Sequence, residues 1–243
     1  MQVTGEVLQD RLAHVREEIR AASERSGRDT GGGSESSGPR LLVASKYYAP
    51  DQVSMLKDAG VTLLGENKSE ELAEKQDLFA DDFEWHFIGH LQRRKAKDVL
   101  PKVTLIHSVD SERLIQELAK RAPDSRANPV ANVLLQVNVS GEEAKYGVGE
   151  TEVERLLEAA AATQGAVRVQ GFMTVAPQVE DPEDVRYVFA KLRSIRDSLR
   201  GAWAPHFDLS ELSMGMSNDY PVAVEEGATL VRVGRSLIER HGP

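Results

Sequence analysis

A lysine follows a short apolar run in "LLVASKYYAP" (residues 41–50). Leu41 to Ala44 read as a buried strand, with Lys46 at its C-terminal mouth. Two roles fit that place: a solvated ammonium at a strand end, or an amine held at a pocket edge to form a Schiff base. Two glycine-containing stretches near the other end of the chain bear on the choice. "SMGMSND" (213–219) flanks a glycine with hydroxyl residues, and "VGRS" (233–236) places a glycine before a short helix. Glycine permits close backbone approach, and helix N-terminal amides hold phosphate. Each stretch alone reads as an ordinary turn. With Lys46 they describe a phosphorylated carbonyl compound held as a Schiff base. Pyridoxal phosphate is the cofactor version, and a class I aldolase acting on a sugar phosphate is the substrate version. Arg232 lies inside an apolar run, "LVRVG", and needs a partner or a task. It either pairs with a core-facing carboxylate such as Glu66 or directs its charge at a ligand ring.

Three histidines, His86, His90 and His107, raise the question of a metal. Their spacing is no ligand signature and no carboxylate set accompanies them. No metal is expected, and His86 reads as a hydrogen-bonded barrel histidine. "HLQRRKAKDVL" (90–100) reads as an amphipathic helix. Its basic residues form a solvated face or steer an anionic ligand.

Elements must hold these residues in place. Residues 5–25 carry Val7, Leu8, Leu12, Val15 and Ile19 at helical spacing. Residues 26–39 form a Gly/Ser-rich surface loop. Short apolar runs then recur at 41–44, 61–64, 85–88, 103–106, 133–137, 167–172, 206–209 and 229–233. Charged helical stretches separate most of them: 51–59, 68–79, 90–99, 111–121, 150–164, 183–200 and 219–227. The alternation argues for a parallel sheet with helices outside. Eight strands suggest a (β/α)8 barrel with an extra N-terminal helix, residues 1–243 forming one domain. The run at 206–209, "HFDL", is the weakest strand by composition. An open doubly wound sheet is the alternative, but no Gly-rich dinucleotide fingerprint follows the first strand. In such barrels the site lies at the C-terminal strand ends, where this chain keeps its least bland stretches.

Composition narrows the class. The chain has 243 residues, no cysteine and a formal net charge of −9. Thiolate catalysis, disulfides and cysteine-based zinc sites are excluded. The charge disfavours nucleic acid. Neither a secretory h-region nor an 18-residue apolar run is present, so no membrane span and a cytoplasmic location are expected.

Several segments carry a family likeness: "VASK" (43–46), "GEN" (65–67), "WHFIGHLQRRK" (85–95), "HSVD" (107–110), "LLQVNVSGEEAKYG" (134–147), "GFMTVAP" (171–177), "LSMGMSNDY" (212–220) and "GATLVRVG" (227–234). The chain resembles the YggS/PROSC-like pyridoxal-phosphate homeostasis proteins, which are similar to the N-terminal barrel of alanine racemase. The resemblance implies that Lys46 forms the Schiff base with the cofactor aldehyde. It implies phosphate contacts at Ser213, Gly234 and Arg235, the last two through backbone amides, with Ser217 supporting that loop. Arg232 resembles the racemase arginine that faces the pyridine nitrogen. Asn67 and Met214 resemble pocket-wall residues, and Lys145 a mouth lysine with a suggested role in cofactor exchange. Tyr48 stands where a second lysine is common, Arg94 and Glu70 depart from the family pattern, and the usual terminal Phe-Gly is missing.

Racemisation needs an acid/base on each face of the substrate, and in alanine racemase a tyrosine from a second domain serves one face. The chain ends soon after the eighth strand, so a reversible, non-catalytic carrier is expected. It would act as a monomer that buffers pyridoxal phosphate and transiently contacts apo-enzymes. A weak pyridoxal-phosphate enzyme with Tyr47 or Tyr48 as its second base is the alternative.

Overall fold

The computed structural model describes residues 4–27, 38–125, 129–142 and 145–238. The expected Gly/Ser loop at 26–39 therefore falls largely outside the described residues. Eight parallel strands close into a barrel in sequence order. They are β1 (Arg40–Ala44), β2 (Leu63–Glu66), β3 (Glu84–Phe87), β4 (Leu105–Val109), β5 (Ala131–Gln136), β6 (Val167–Met173), β7 (Glu211–Met216) and β8 (Leu230–Val233). Closure pairs β1 with β8, placing Leu42 beside Arg232 and Val43 beside Val233. This excludes the open sheet.

Helices in the same order are α1 (Gly5–Arg25), α2 (Val53–Asp58), α3 (Ser69–Phe79), α4 (Ala96–Val99), α5 (Glu112–Arg121), α6 (Val153–Ala161), α7 (Arg186–Trp203), α8 (Tyr220–Glu225) and α9 (Arg235–Ile238). Thr4 caps α1, its side chain accepting from the Val7 amide. The α1 stripe Leu8, Leu12, Val15 and Ile19 is buried, and the helix packs on α8. There Tyr220 donates its hydroxyl proton to Glu18.

Strand alternation sorts the side chains into two cores. Trp85, Phe87, Ile106, Leu212, Met214, Val231 and Val233 face the helices. Leu42, Leu63, Leu105, Leu134, Met173 and Leu230 fill the barrel interior. Burying each such side chain is worth about 1.5–3 kcal/mol. His86, His107, Ser213 and Arg232 alternate with outward residues on their strands, so they share that interior.

Two expected elements differ. The seventh strand is Glu211–Met216, not 206–209. Phe207 and Leu209 are buried, but Leu209 takes φ 49°, which interrupts an extended run. The true strand alternates Leu212 and Met214 outward with small Ser213 and Gly215, so it carries no continuous apolar signal. The segment 90–99 is helical only at its end: Arg93–Lys95 form a tight turn and α4 starts at Ala96.

Candidate functional site

The C-terminal ends of β1, β2, β3, β6, β7 and β8 and the segments that follow them surround a cavity of about 330 Å³. Lys46, Asn67, Ser217, Arg232, Gly234 and Arg235 line it together with Tyr47. Six of the eight residues singled out from sequence are therefore brought together. Ser213 and Met214 are not on this lining. Both lie within β7, where alternation sends Ser213 into the barrel below the cavity and Met214 into the helix-facing core.

Lys46 is exposed and makes no hydrogen bond or ion pair among the described residues. Its ammonium lies 4.9 Å from the Tyr47 ring centroid, a cation–π distance. The residue before it is fixed from below. The Ser45 hydroxyl donates to Glu66 Oε2 at 2.7 Å, and Lys75 donates to the same oxygen at 2.6 Å and to the Ser45 carbonyl at 2.8 Å. Glu66 Oε1 accepts from the Asn67 amide at 2.7 Å. One buried carboxylate thus sets the backbone beside two cavity residues.

Of the two alternatives for Arg232, the pairing with Glu66 is not found; Glu66 pairs with Lys75. Arg232 instead donates to Ser213 Oγ at 2.5 Å and to the Thr174 carbonyl at 2.8 Å. Burial pushes its pKa down to about 10, opposed by the charge of Asp219. The guanidinium remains protonated near neutral pH. Its hydrogen-bond partners are neutral, and Asp219, which lines the same cavity, opposes its charge without a direct hydrogen bond to it.

Ser217 Oγ accepts from the amides of Gly234 and Ser236, each at 3.3 Å. Bonds of that length are weak, and an anionic oxygen is a stronger acceptor for the same amides. At Gly234 an added Cβ would stand 2.6 Å from Tyr47 Cε2 and 2.9 Å from Ala44 Cβ. Gly89 likewise leaves no room for a side chain, its Cβ position lying 2.2 Å from the Asn67 carbonyl oxygen. Asn67 Oδ1, on a residue that lines the cavity, is buried without a partner, an acceptor left unspent.

Some expectations move. Tyr48 does not reach the mouth: it is 5 % exposed and packs in the helix-facing core. Burial pushes its pKa up to about 12, and it is absent from the cavity lining, where Tyr47 is present. Lys145 pairs with Glu142 at 2.8 Å and is absent from the cavity lining. Arg94 bonds Gln92 at 3.0 Å on the outer surface. Sequence reasoning left Ile88 and Val175 out of the cavity wall, although each continues the inward alternation of its strand. Among the described residues no cluster of three or more His, Asp or Glu side chains is arranged for a metal. None of the described helices is long and apolar enough to cross a membrane.

A closed barrel of eight parallel strands with flanking helices is the fold of the alanine-racemase N-terminal domain. Alanine racemase from Corynebacterium glutamicum shares this fold, with a TM-score of 0.67 and 14% identity over 94% of this chain and 61% of that one. The chain belongs to the pyridoxal phosphate homeostasis protein family. It is 43% identical to the family's protein from Aquifex aeolicus over 94% of this chain and 96% of that one. The Escherichia coli K12 protein is 33% identical over 93% of each chain. Among solved structures, PipY of Synechococcus elongatus with PLP bound superposes with a TM-score of 0.76 at 29% identity, covering 96% of this chain and all of that one. No family model matches the chain.

Proposed function

We propose that this protein binds pyridoxal phosphate reversibly through Lys46 and serves as an intracellular reserve of the cofactor, without efficient turnover of amino acids. The observation that carries this is the unpaired Lys46 amine in one cavity with the buried guanidinium of Arg232, whose hydrogen-bond partners are neutral. The cofactor, when bound, supplies an aldehyde that an amine captures. Lys46 is placed to supply that amine. The backbone amides of Gly234 and Arg235, with Ser217 supporting the loop, hold the phosphate in this reading. Arg232 faces the ring nitrogen in this reading and disfavours its protonation, which weakens the ring as an electron sink. Asn67 is the wall residue beside it. Ser213 acts through Arg232 rather than on the phosphate, and Met214 backs the wall from the core.

The family membership and the relative solved with PLP bound support the same ligand. The carrier reading is further supported by Tyr48, whose burial removes one of two candidate second bases. The proposal extends to residues 1–243 acting as one monomeric binding domain in the cytoplasm, with brief contacts to apo-enzymes during transfer. Mixing the purified protein with pyridoxal phosphate should give the visible absorbance of a protonated imine. Absence of that band would remove the reading. Catalytic deuterium exchange at the α-carbon of L- or D-alanine would convert the carrier into an enzyme.

A further inference from the structure

A polar thread crosses the apolar interior of the barrel. Arg232 donates to Ser213 Oγ at 2.5 Å, and Ser213 Oγ lies 2.9 Å from His107 Nδ1. His107 Nε2 lies 2.9 Å from His86 Nδ1, and His86 Nε2 lies 2.8 Å from Glu84 Oε1. His86, His107, Ser213 and Arg232 are all more than nine-tenths buried. Glu84 opens to solvent at the N-terminal end of β3, where it also pairs with Arg40 and accepts from Thr104 at 3.1 Å.

Both ends impose the same direction. A guanidinium only donates, so the Ser213 oxygen accepts from Arg232 and its own proton goes to His107 Nδ1. A carboxylate only accepts, so His86 carries its proton on Nε2. His86 Nδ1 is then bare and accepts from His107 Nε2–H, which leaves His107 Nδ1 bare for the serine proton. The reverse direction would set a bare imidazole nitrogen against the Glu84 carboxylate and orphan the serine hydroxyl. Every link is satisfied in one arrangement, which the low-dielectric interior strongly favours over a broken one.

We infer that Glu84, His86, His107 and Ser213 form a positioning chain of fixed polarity that runs through the barrel and holds Arg232 at the cavity wall. An arginine does not give up its proton near neutral pH, so the chain orients and does not conduct. His86 and His107 are positioning residues in single Nε2–H tautomers. The opposite mouth of the barrel is thereby coupled to the ligand cavity. The role toward a ligand ring rests on the pyridoxal-phosphate reading; the polarity of the chain does not.

Two measurements test it on the full chain. The first is imidazole 15N–1H NMR of the ligand-free protein near neutral pH, with signals assigned by single His→Phe substitutions. Both His86 and His107 should be neutral with the proton on Nε2. A proton on Nδ1, or a doubly protonated ring, at either residue overturns the chain. The second is titration with pyridoxal phosphate. Ser213→Ala and Glu84→Leu should weaken binding, Ser213→Ala on the order of tenfold as loss of an orienting hydrogen bond does elsewhere, and both should shift the visible band. Glu84→Gln retains an acceptor and should recover most of the loss. Arg40→Met removes the outer ion pair alone and should recover nothing and lose nothing. Wild-type affinity and spectrum in both Ser213→Ala and Glu84→Leu, with cooperative unfolding showing that they fold, contradict the positioning role. If wild-type protein binds no pyridoxal phosphate, the functional reading and the ring-facing role fall together, while the tautomers still judge the chain.

Discussion

Lys75 and Glu66 form a buried ion pair at 2.6 Å, and Lys75 also donates to the carbonyl of Ser45, the residue before Lys46. The pair ties α3 to the ends of β1 and β2. Both side chains are 2 % exposed or less. Removing one partner strands the other charge, at a cost of about 3–5 kcal/mol. Lys75→Met should therefore lower the unfolding free energy by about that amount in urea titrations, and should weaken capture at Lys46 as Ser45 loses its anchor. Unaltered stability would show that the carboxylate has found solvent.

Gly234 tests how tightly the cavity wall is built. A methyl there meets Tyr47 and Ala44 well inside contact distance. Gly234→Ala should destabilise by about 1–3 kcal/mol, the usual cost of overpacking, and should weaken pyridoxal-phosphate binding by displacing the Tyr47 ring. Combining it with Tyr47→Ala should restore part of the stability. An additive double mutant would place the strain elsewhere.

The two interior histidines give a pH dependence of defined sign. Burial lowers the pKa of His86 and holds His107 well below the ordinary value of 6.5. The unfolded chain then binds more protons below that value than the folded one. Their contribution is intact above about 6.5 and is lost as pH falls below it toward the folded values. Unfolding free energy should fall between about pH 7 and pH 5.5, at up to about 1.4 kcal/mol per unit for each histidine. Replacing His107 with Phe should flatten that slope. Higher stability at the lower pH would contradict burial in the neutral form.

Tyr48 carries a buried hydroxyl with no hydrogen-bond partner. An unsatisfied buried hydroxyl costs about 1–3 kcal/mol of desolvation. Tyr48→Phe should be neutral or stabilising in thermal melts and should leave pyridoxal-phosphate titrations as they are. A large loss of affinity would return Tyr48 to the cavity.

The barrel was legible because apolar runs and charged helical stretches alternate, and eight runs read as eight strands. β7 was misplaced since an inward face of Ser213 and Gly215 has no apolar signature, and Phe207 and Leu209 mimic one in a connecting segment. That shift carried Ser213 and Met214 from the expected loop into the strand. Lys46, Ser217, Gly234 and Arg235 were legible because they sit at or just past strand ends, where position alone assigns them to the site face. The partner of Arg232 was not, since Glu66 and Ser213 both face inward and register decides between them. Nor could adjacency separate Tyr47 from Tyr48, which the short turn after β1 sends to opposite sides.

The central claim is that Lys46 alone captures the cofactor aldehyde. Borohydride reduction of the protein loaded with pyridoxal phosphate, followed by peptide mapping, tests it most directly. The label should appear on the peptide containing Lys46 and disappear in Lys46→Ala. Label on Lys145, Lys75 or any other lysine of the wild-type chain, or undiminished label in Lys46→Ala, would contradict the assignment.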